Sequence, residues 1–121
     1  MKRIIIRPNE AKELESNGSL KLEDLHELIG TDVIDIIKRR IGGNDYQIIV
    51  DDEGKLKPNQ ATARALDAEE FLVGTLIVTR CDSEGEEIGL EDEDIVNVRA
   101  HIIQMKNPDY ALLIYCCREG I

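Results

Sequence analysis

The sequence predicts a single α+β domain, with one mostly antiparallel sheet of about five strands and two helices. Three observations support this prediction. The chain has 121 residues, a length at which one domain buries its own core. Apolar residues make up 42% of it, enough for a folded chain rather than a disordered one. Short β-branched runs bounded by turn residues alternate with two segments of helical spacing.

The first part of the chain predicts a strand followed by a helix. The β-branched residues of 3–7 favour a strand, and the polar residues 9–19 are interpreted as a connection. Leucine and isoleucine recur at helical spacing over residues 22–29. Ser19 is the candidate N-cap of this helix and Gly30 its candidate C-cap, since glycine readily adopts a left-handed conformation.

The middle of the chain predicts a hairpin and a central strand. Residues 33–40 alternate and predict an edge strand, with residues 46–50 pairing back on it. Residues 57–66 are interpreted as irregular or a short helix. The run 71–81 is the most apolar and predicts one central strand, in which Gly74 marks a bulge or a close backbone approach.

The last part predicts a second helix and a closing strand. The acids at 91–94 suit the positive end of a helix dipole. Apolar residues at 95, 98, 102 and 105 continue at helical spacing, and the pair 107–108, Asn-Pro, ends the helix. Residues 109–117 then predict the final strand.

The charge of the chain is concentrated in one segment. The formal net charge is −10, which disfavours direct binding of nucleic acid. Residues 51–94 contain 14 acids and four bases, so they account for the whole net charge. This pattern is typical of a solvated surface, but it also fits an acidic face that engages a basic protein.

The thiols and the apolar segments indicate a cytoplasmic protein. Cys81, Cys116 and Cys117 are an odd number with two adjacent, a poor disulfide framework, and we expect reduced thiols. The apolar run near the N-terminus is too short for a signal peptide. No segment approaches the ~20 apolar residues of a membrane span, so we expect no membrane partner.

Catalytic and metal-binding signatures are not found in the sequence. His26 and His101 are far apart and lack further ligands, so no metal site is predicted. Arg118 could lower the pKa of a neighbouring thiol, but a packed strand cysteine is the favoured interpretation. The acidic turns after residues 50 and 81 do not match a calcium loop, because their glycines come too early. We therefore expect no enzyme activity and no cofactor.

Three stretches carry a family resemblance: IIVDDEGKLKPNQAT from residue 48, FLVGTLIVTRCDSEGE from residue 71 and GLEDEDI from residue 89. Together with the strand ending in Pro8 and the leucine-spaced helix before Gly30, their order resembles an uncharacterised domain family of Gram-positive bacteria, phages and conjugative elements. The resemblance covers about residues 3–96 of the single domain 1–121. The extension 97–121 departs from it, and completion of the sheet or a homodimer through the C-terminal strand are both left open.

The resemblance implies a setting rather than a reaction: small mobile-element proteins that counter host defence, some of them linked to inhibition of CRISPR nucleases. The first hypothesis is therefore a non-enzymatic inhibitor whose acidic face occupies a basic protein channel by charge mimicry. The second is a binding module for a nucleotide signal, and the third a housekeeping protein whose acidity only maintains solubility. The residues assigned to the acidic face are Asp51, Asp52, Glu53, Asp82, Glu84, Glu86, Glu87, Glu91 and Asp92. The residues assigned to the nucleotide pocket are Asn59, Lys38, Arg39 and Arg40.

Overall fold

The fold is taken from a computed structural model and is described for residues 1–54, 61–66, 70–107 and 110–117. Within these ranges the chain forms nine strands and two helices. In chain order they are β1 (Lys2–Arg7), β2 (Glu10–Glu15), α1 (Leu22–Ile29), β3 (Ile34–Ile41), β4 (Asn44–Asp51), β5 (Ala61–Ala65), β6 (Glu70–Val73), β7 (Leu76–Thr79), α2 (Asp92–Ala100), β8 (Ile102–Asn107) and β9 (Tyr110–Cys116).

Five strands form an antiparallel sheet, which we call sheet A. Its order is β2-β1-β7-β4-β3, with every neighbouring pair antiparallel. The predicted α+β class with a mostly antiparallel sheet is therefore confirmed, and so is the predicted edge hairpin of β3 and β4. Gly42 and Gly43 close that hairpin with φ of 57° and 86°, the positive values that a type I′ turn requires.

A second sheet of four strands, sheet B, was not predicted. Its order is β6-β5-β9-β8, in which β5 and β9 are parallel and the other pairs antiparallel. Sheet B is joined to the edge of sheet A by two backbone hydrogen bonds of 2.7 Å between Arg40 and Cys117. Because β9 lies between β5 and β8, it is flanked by a hydrogen-bonded strand on each side.

Sheet A separates two layers of apolar packing. On one face Ile5, Ile77 and Ile49 form a row across three neighbouring strands, and α1 packs on this row through Leu25 and Leu28. The opposite face contributes the main core, which includes residues of sheet B and α2. In this core, sheet A contributes Ile4, Ile6, Ile48 and Val78, sheet B contributes Ala63 and Ile114, and α2 contributes Ile95 and Val98.

The helical stripe of α1 is confirmed, but one of its predicted caps is wrong. The helix begins after Lys21, whose amide donates to the Asp24 carboxylate at 3.2 Å, so Ser19 is not the N-cap. Gly30 is the C-cap as predicted, with φ of 86° and its amide bonded to the carbonyl of His26 at 2.8 Å. Glycine at this position avoids the steric cost of the left-handed conformation.

Four other sequence predictions are wrong. The expected connection 9–19 contains β2, and residues 61–65 form β5 instead of an irregular passage. The expected central strand 71–81 is two strands in different sheets, because the chain turns at Gly74 with φ of 75°. The second helix ends at Ala100 and β8 follows it, so the apolar spacing at 102 and 105 belongs to a strand. The Pro58-Asn59 step lies outside the described residues.

Candidate functional site

The most acidic region lies where β7 leaves sheet A, around a tight turn. Beyond β7, Cys81 pairs with Glu87 in an isolated antiparallel bridge. Within the turn the Asp82 carboxylate accepts hydrogen bonds from the amides of Glu84 at 2.9 Å and Glu86 at 3.0 Å. This use of aspartate is typical of turns, so Asp82 closes the turn while Glu84 and Glu86 remain exposed.

The first anchor of this turn is a buried ion pair on the α1 face of sheet A. The guanidinium of Arg3, whose residue has 0% exposure, donates from Nε and Nη2 to the two carboxylate oxygens of Glu87, both at 2.7 Å. Thr79 Oγ1 donates to Glu87 at 2.6 Å, and Arg3 Nη1 donates to Ser16 Oγ at 2.8 Å. The Arg3–Glu87 ion pair is bidentate, which makes it one of the stronger kinds of side-chain contact.

The ionisation of nearby groups reflects this arrangement. Burial opposes the charged form of Glu87, but the hydrogen bonds from Arg3 and Thr79 outweigh it and hold the pKa of this carboxyl below its ordinary value. Burial, followed by the negative charges of Glu87 and Asp82, raises the pKa of the Cys81 thiol. Cys81 is therefore disfavoured as a nucleophile, since the thiolate is the reactive form.

The second anchor also lies where β7 leaves sheet A, but on the opposite face of the sheet, which packs on the main core. Arg80 Nε is 3.2 Å from Asp94 Oδ2, and the Tyr46 hydroxyl donates to Asp94 Oδ1 at 3.0 Å. Asn97 Nδ2 donates to the Tyr46 hydroxyl at 2.9 Å and to the Ile41 carbonyl at 2.9 Å. Burial is the main reason that the pKa of Tyr46 is raised, with Asn97 opposing and Asp94 supporting the rise.

The start of α2 joins the turn at this end of the sheet. Lys2 pairs with Leu90 in an isolated bridge, which holds the residues before α2 against the start of β1. The Glu91 amide donates to Asp94 Oδ2 at 2.9 Å, and Lys2 Nζ bonds Asp92 Oδ1 at 2.9 Å. Carboxylates at a helix start are favoured by the helix dipole, so these acids serve the fold as well as the surface.

The turn after β7 and the start of α2 carry six exposed carboxylates, and we call this region the acidic end: Asp82, Glu84, Glu86, Glu91, Asp92 and Glu93. Three bases, Lys2, Arg3 and Arg80, also lie here, and each is already bonded to a carboxylate. The exposed surface of the acidic end is therefore strongly negative, and its turn and helix start are held from both faces of the sheet.

The other predicted acids, Asp51, Asp52 and Glu53, lie away from the acidic end. The register pairs Ile49 with Ile77 and Gln47 with Thr79, so β4 ends beside the beginning of β7. The acidic end follows the opposite end of β7. The seven residue steps of β4 separate the two groups by roughly 23 Å, and the nine predicted acids do not form one continuous patch.

Sequence reasoning also missed two acids near the acidic end. Glu15 is paired with Lys2 in the register of β1 and β2, and the charges of Glu13 and Glu15 add to the rise in the pKa of Lys2, whose main cause is the hydrogen bond to Asp92. Both lie outside the segment that carries the net charge, and only the long-range pairing of β1 brings them close. The role of Arg3 was missed for the same reason.

The three bases assigned to a nucleotide pocket do not lie on one face of β3. Lys38 Nζ and Arg40 Nε lie 3.5 Å and 3.1 Å from the Asp45 carboxylate, and the hydrogen bond from Arg40 is the main cause that lowers the pKa of Asp45. Arg39 lies between them in β3 and so projects from the opposite face. Asn59 lies outside the described residues. Among the described residues, the two bases on one face are therefore bonded to Asp45 and the third projects from the other face.

No group of three or more His, Cys, Asp or Glu side chains is placed to hold a metal ion within the described parts of the chain. His26 Nδ1 is 3.6 Å from Asp32, and His101 Nδ1 is 2.8 Å from the carbonyl of Asn97 at the end of α2. All three cysteines are free thiols. None of the helices in these parts is long and apolar enough to cross a membrane.

Comparison with known proteins identifies a family but no characterised relative. Neither the curated proteins nor the solved structures include a significant match to this chain. A family model matches residues 1–106, which takes in both anchors, the acidic end and all of sheet A. The match extends past the expected limit of the family-like core at residue 96 and includes the end of α2. The chain belongs to the family described as "Domain of unknown function (DUF3846)".

Proposed function

We propose that this protein is a non-enzymatic binding module whose acidic end docks on a basic protein surface. The observation that carries the proposal is the concentration of six exposed carboxylates at one end of sheet A, where the neighbouring bases are already bonded to acids. A surface of this kind attracts a positively charged partner and accelerates its association.

The anchoring of the acidic end supports this proposal. Glu87 holds the end of the turn through Arg3, Asp94 holds the start of α2 through Arg80, and Asp82 closes the turn that precedes Glu87. A partner would then meet carboxylates on a preorganised backbone. Preorganisation lowers the ordering cost of association, so charge on a fixed turn contributes more to binding than the same charge on a flexible segment.

We propose further that the partner is a protein whose basic channel normally holds nucleic acid, and that binding here excludes the nucleic acid. A CRISPR nuclease or another nucleic-acid-dependent defence protein is the class that the family resemblance favours. Phosphates and carboxylates share the acceptor chemistry that arginine and lysine recognise. The acids Asp51, Asp52 and Glu53 lie outside the proposed contact.

Two charge-matched variants test the proposal. The first removes three charges from the acidic end by Glu84→Gln, Glu86→Gln and Glu91→Gln. The control removes three exposed charges near the far end of β4 by Asp32→Asn, Asp52→Asn and Glu53→Gln. Both have the same net charge, so any difference between them reports the location of the charge.

Each protein is immobilised and exposed to bacterial lysate, and the captured protein is then purified for kinetic measurement. We expect association with the first variant to be about tenfold slower than with wild type, within the range of electrostatic steering, and the control to stay within about twofold. Added nucleic acid should displace the captured protein. Equal rates for the two variants, or a captured protein that nucleic acid does not displace, contradict the proposal. Recovery of nothing favours the housekeeping interpretation instead.

A further inference from the structure

One edge of sheet A is β2, and the hydrogen bonds at its end show which of its backbone groups point outward. The amino group of Met1 donates to the Ser16 carbonyl at 2.8 Å, and the Ser16 amide donates to the Met1 carbonyl at 3.0 Å. Backbone groups alternate sides along a strand, so every second residue from Ser16 is bonded to β1. The amides and carbonyls of Ala11, Glu13 and Glu15 therefore point away from β1.

This edge is open to another strand. In the order β2-β1-β7-β4-β3 the strand β2 is terminal, and no described residue forms a backbone hydrogen bond with the outward groups of Ala11, Glu13 or Glu15. Every residue of β2 is exposed or half-buried. A row of backbone donors and acceptors in this position is a template on which an extended segment can pair.

Glu13 and Glu15 make one face of this edge negative. Both are exposed, and they pair with Ile4 and Lys2 on the core face of sheet A. The amine of Lys2 is bonded to Asp92 at 2.9 Å, so this face of β2 leads directly to the acidic end. Since the side chains of Glu13 and Glu15 lie on one face and two residues apart, they set a fixed spacing for positive charges on a neighbouring strand.

The opposite face of β2 is closer to neutral and partly apolar. Glu10 lies 2.9 Å from the guanidinium of Arg7 and 3.8 Å from the amine of Lys12, which together balance its charge. Leu14 is on the same face and is half-buried. An added strand would therefore meet two carboxylates on one face and, between them in sequence, an apolar side chain on the other.

We propose that β2 binds an extended basic segment of a partner protein, which adds to sheet A as an antiparallel strand. The partner residues opposite Glu13 and Glu15 exchange two backbone hydrogen bonds with each of them and carry lysine or arginine. The partner residue between these two lies opposite Leu14 and is apolar. The inference rests on the proposed function, because it states how a basic partner is recognised beside the acidic end.

Charge favours this partner over a second copy of the chain. Two β2 strands that use all three outward residues pair with Glu13 on the two-fold axis, which sets Glu13 opposite Glu13. Like charges directly opposite each other are destabilising, and the net charge of −10 adds a general repulsion between copies. A basic segment reverses both effects. The backbone bonds then supply affinity, and the alternate side chains supply specificity.

A peptide of sequence Thr-Val-Lys-Val-Lys-Val-Thr, blocked at both ends, tests the proposal by nuclear magnetic resonance on the isotope-labelled chain. Shift changes are expected in β2 and β1. N-methyl groups on the two lysines remove amides that face β2, whereas N-methyl groups on the valine after each lysine remove amides that face solvent. The first modified peptide should bind about tenfold more weakly than the unmodified one, and the second within about threefold of it. The two have the same charge and composition, so the comparison isolates strand pairing.

Charge variants of the protein locate the site. Glu13→Gln with Glu15→Gln should weaken binding of the unmodified peptide about fivefold. The matched control, Glu23→Gln with Glu27→Gln on exposed positions of α1, should stay within about twofold. Amide spectra establish that each variant is folded.

The peptide test is separate from the test of the proposed function. The variant with three charges removed from the acidic end should bind the peptide within about threefold of wild type, so a failure to capture a partner through the acidic end leaves this result interpretable. The inference is overturned if the two methylated peptides bind equally or if the shift changes lie outside β2 and β1. It is also overturned if β2 shifts with protein concentration alone, which identifies a second copy as the occupant.

Discussion

The ion pair between Arg3 and Glu87 offers the sharpest test of how the acidic end is held. Glu87→Gln keeps the shape of the side chain but removes its charge, so the guanidinium of Arg3 loses its counter-charge in a site with 0% exposure. The neighbouring Glu86 is exposed and its carboxylate is not part of the anchor. Glu86→Gln is therefore a control one residue away with the same chemical change.

The expected loss follows from the geometry. Breaking a buried ion pair by removing one charge costs roughly 3–5 kcal/mol, because the remaining charge is left uncompensated. The Glu87 side chain is 15% exposed, and Arg3 keeps its hydrogen bonds to Ser16 and Gly18, so we expect the lower limit, about 3 kcal/mol. A chain of this length has a stability of about 6–18 kcal/mol, and the variant should still fold.

Urea denaturation at neutral pH measures the free energy of unfolding of wild type and both variants. We expect Glu87→Gln to lose about 3 kcal/mol and Glu86→Gln less than about 0.5 kcal/mol, as for an ordinary surface substitution. If the two variants agree within 0.5 kcal/mol, on the scale of that surface effect, the anchor does not hold the turn as argued.

The same pair predicts a dependence on pH. The pKa of Glu87 is lowered in the folded state, so its contribution is present above the unfolded pKa of about 4.3 and is lost as the pH falls through the folded value. The difference in stability between wild type and Glu87→Gln should therefore shrink in acid. A difference that stays constant at low pH would contradict the assigned ionisation.

Three further substitutions and one matched control test the core face and the turns. Gly42→Ala should cost about 2 kcal/mol or more, because φ is 57° and the added Cβ would clash with Asn97 Oδ1. Gly43 has open space around it, so Gly43→Ala should cost only about 1 kcal/mol. Tyr46→Phe should cost about 1–3 kcal/mol, and ultraviolet titration of wild type should show its phenol ionising above the ordinary range, with stability falling as the pH rises beyond about 10. Asp82→Ala should cost about 1 kcal/mol and increase amide hydrogen exchange in the turn, and unchanged exchange would refute its closing role.

Local patterns were sufficient to predict several elements. The helix of residues 22–29 is defined by its leucine spacing and by Gly30, and the hairpin of β3 and β4 by alternation and by the glycines between the strands. These features depend on neighbours within one turn or one hairpin, where the period of apolar residues and the freedom of glycine decide the conformation. The class of the fold followed from them.

Other elements could not be predicted because their apolar residues fit two structures equally well. Ile102 continues the spacing of α2 but belongs to β8, where it pairs with Ile114 of β9. The run 71–81 is apolar throughout, and only the left-handed turn at Gly74 divides it between the two sheets. The exposed strand β2 has few apolar residues and forms by pairing along β1.

The order of residues along the chain determined that the net negative charge falls in residues 51–94 and that no common catalytic motif is present. The tertiary structure decided which of those charges act together. Because β4 and β7 are antiparallel, Asp51, Asp52 and Glu53 lie at one end of sheet A and the turn after β7 lies at the other end. The pairing of β1 with β7 then sets Arg3 beside Glu87, which anchors part of the acidic segment and leaves the remainder exposed. Such long-range pairing depends on the whole folded chain, so a local pattern does not encode it.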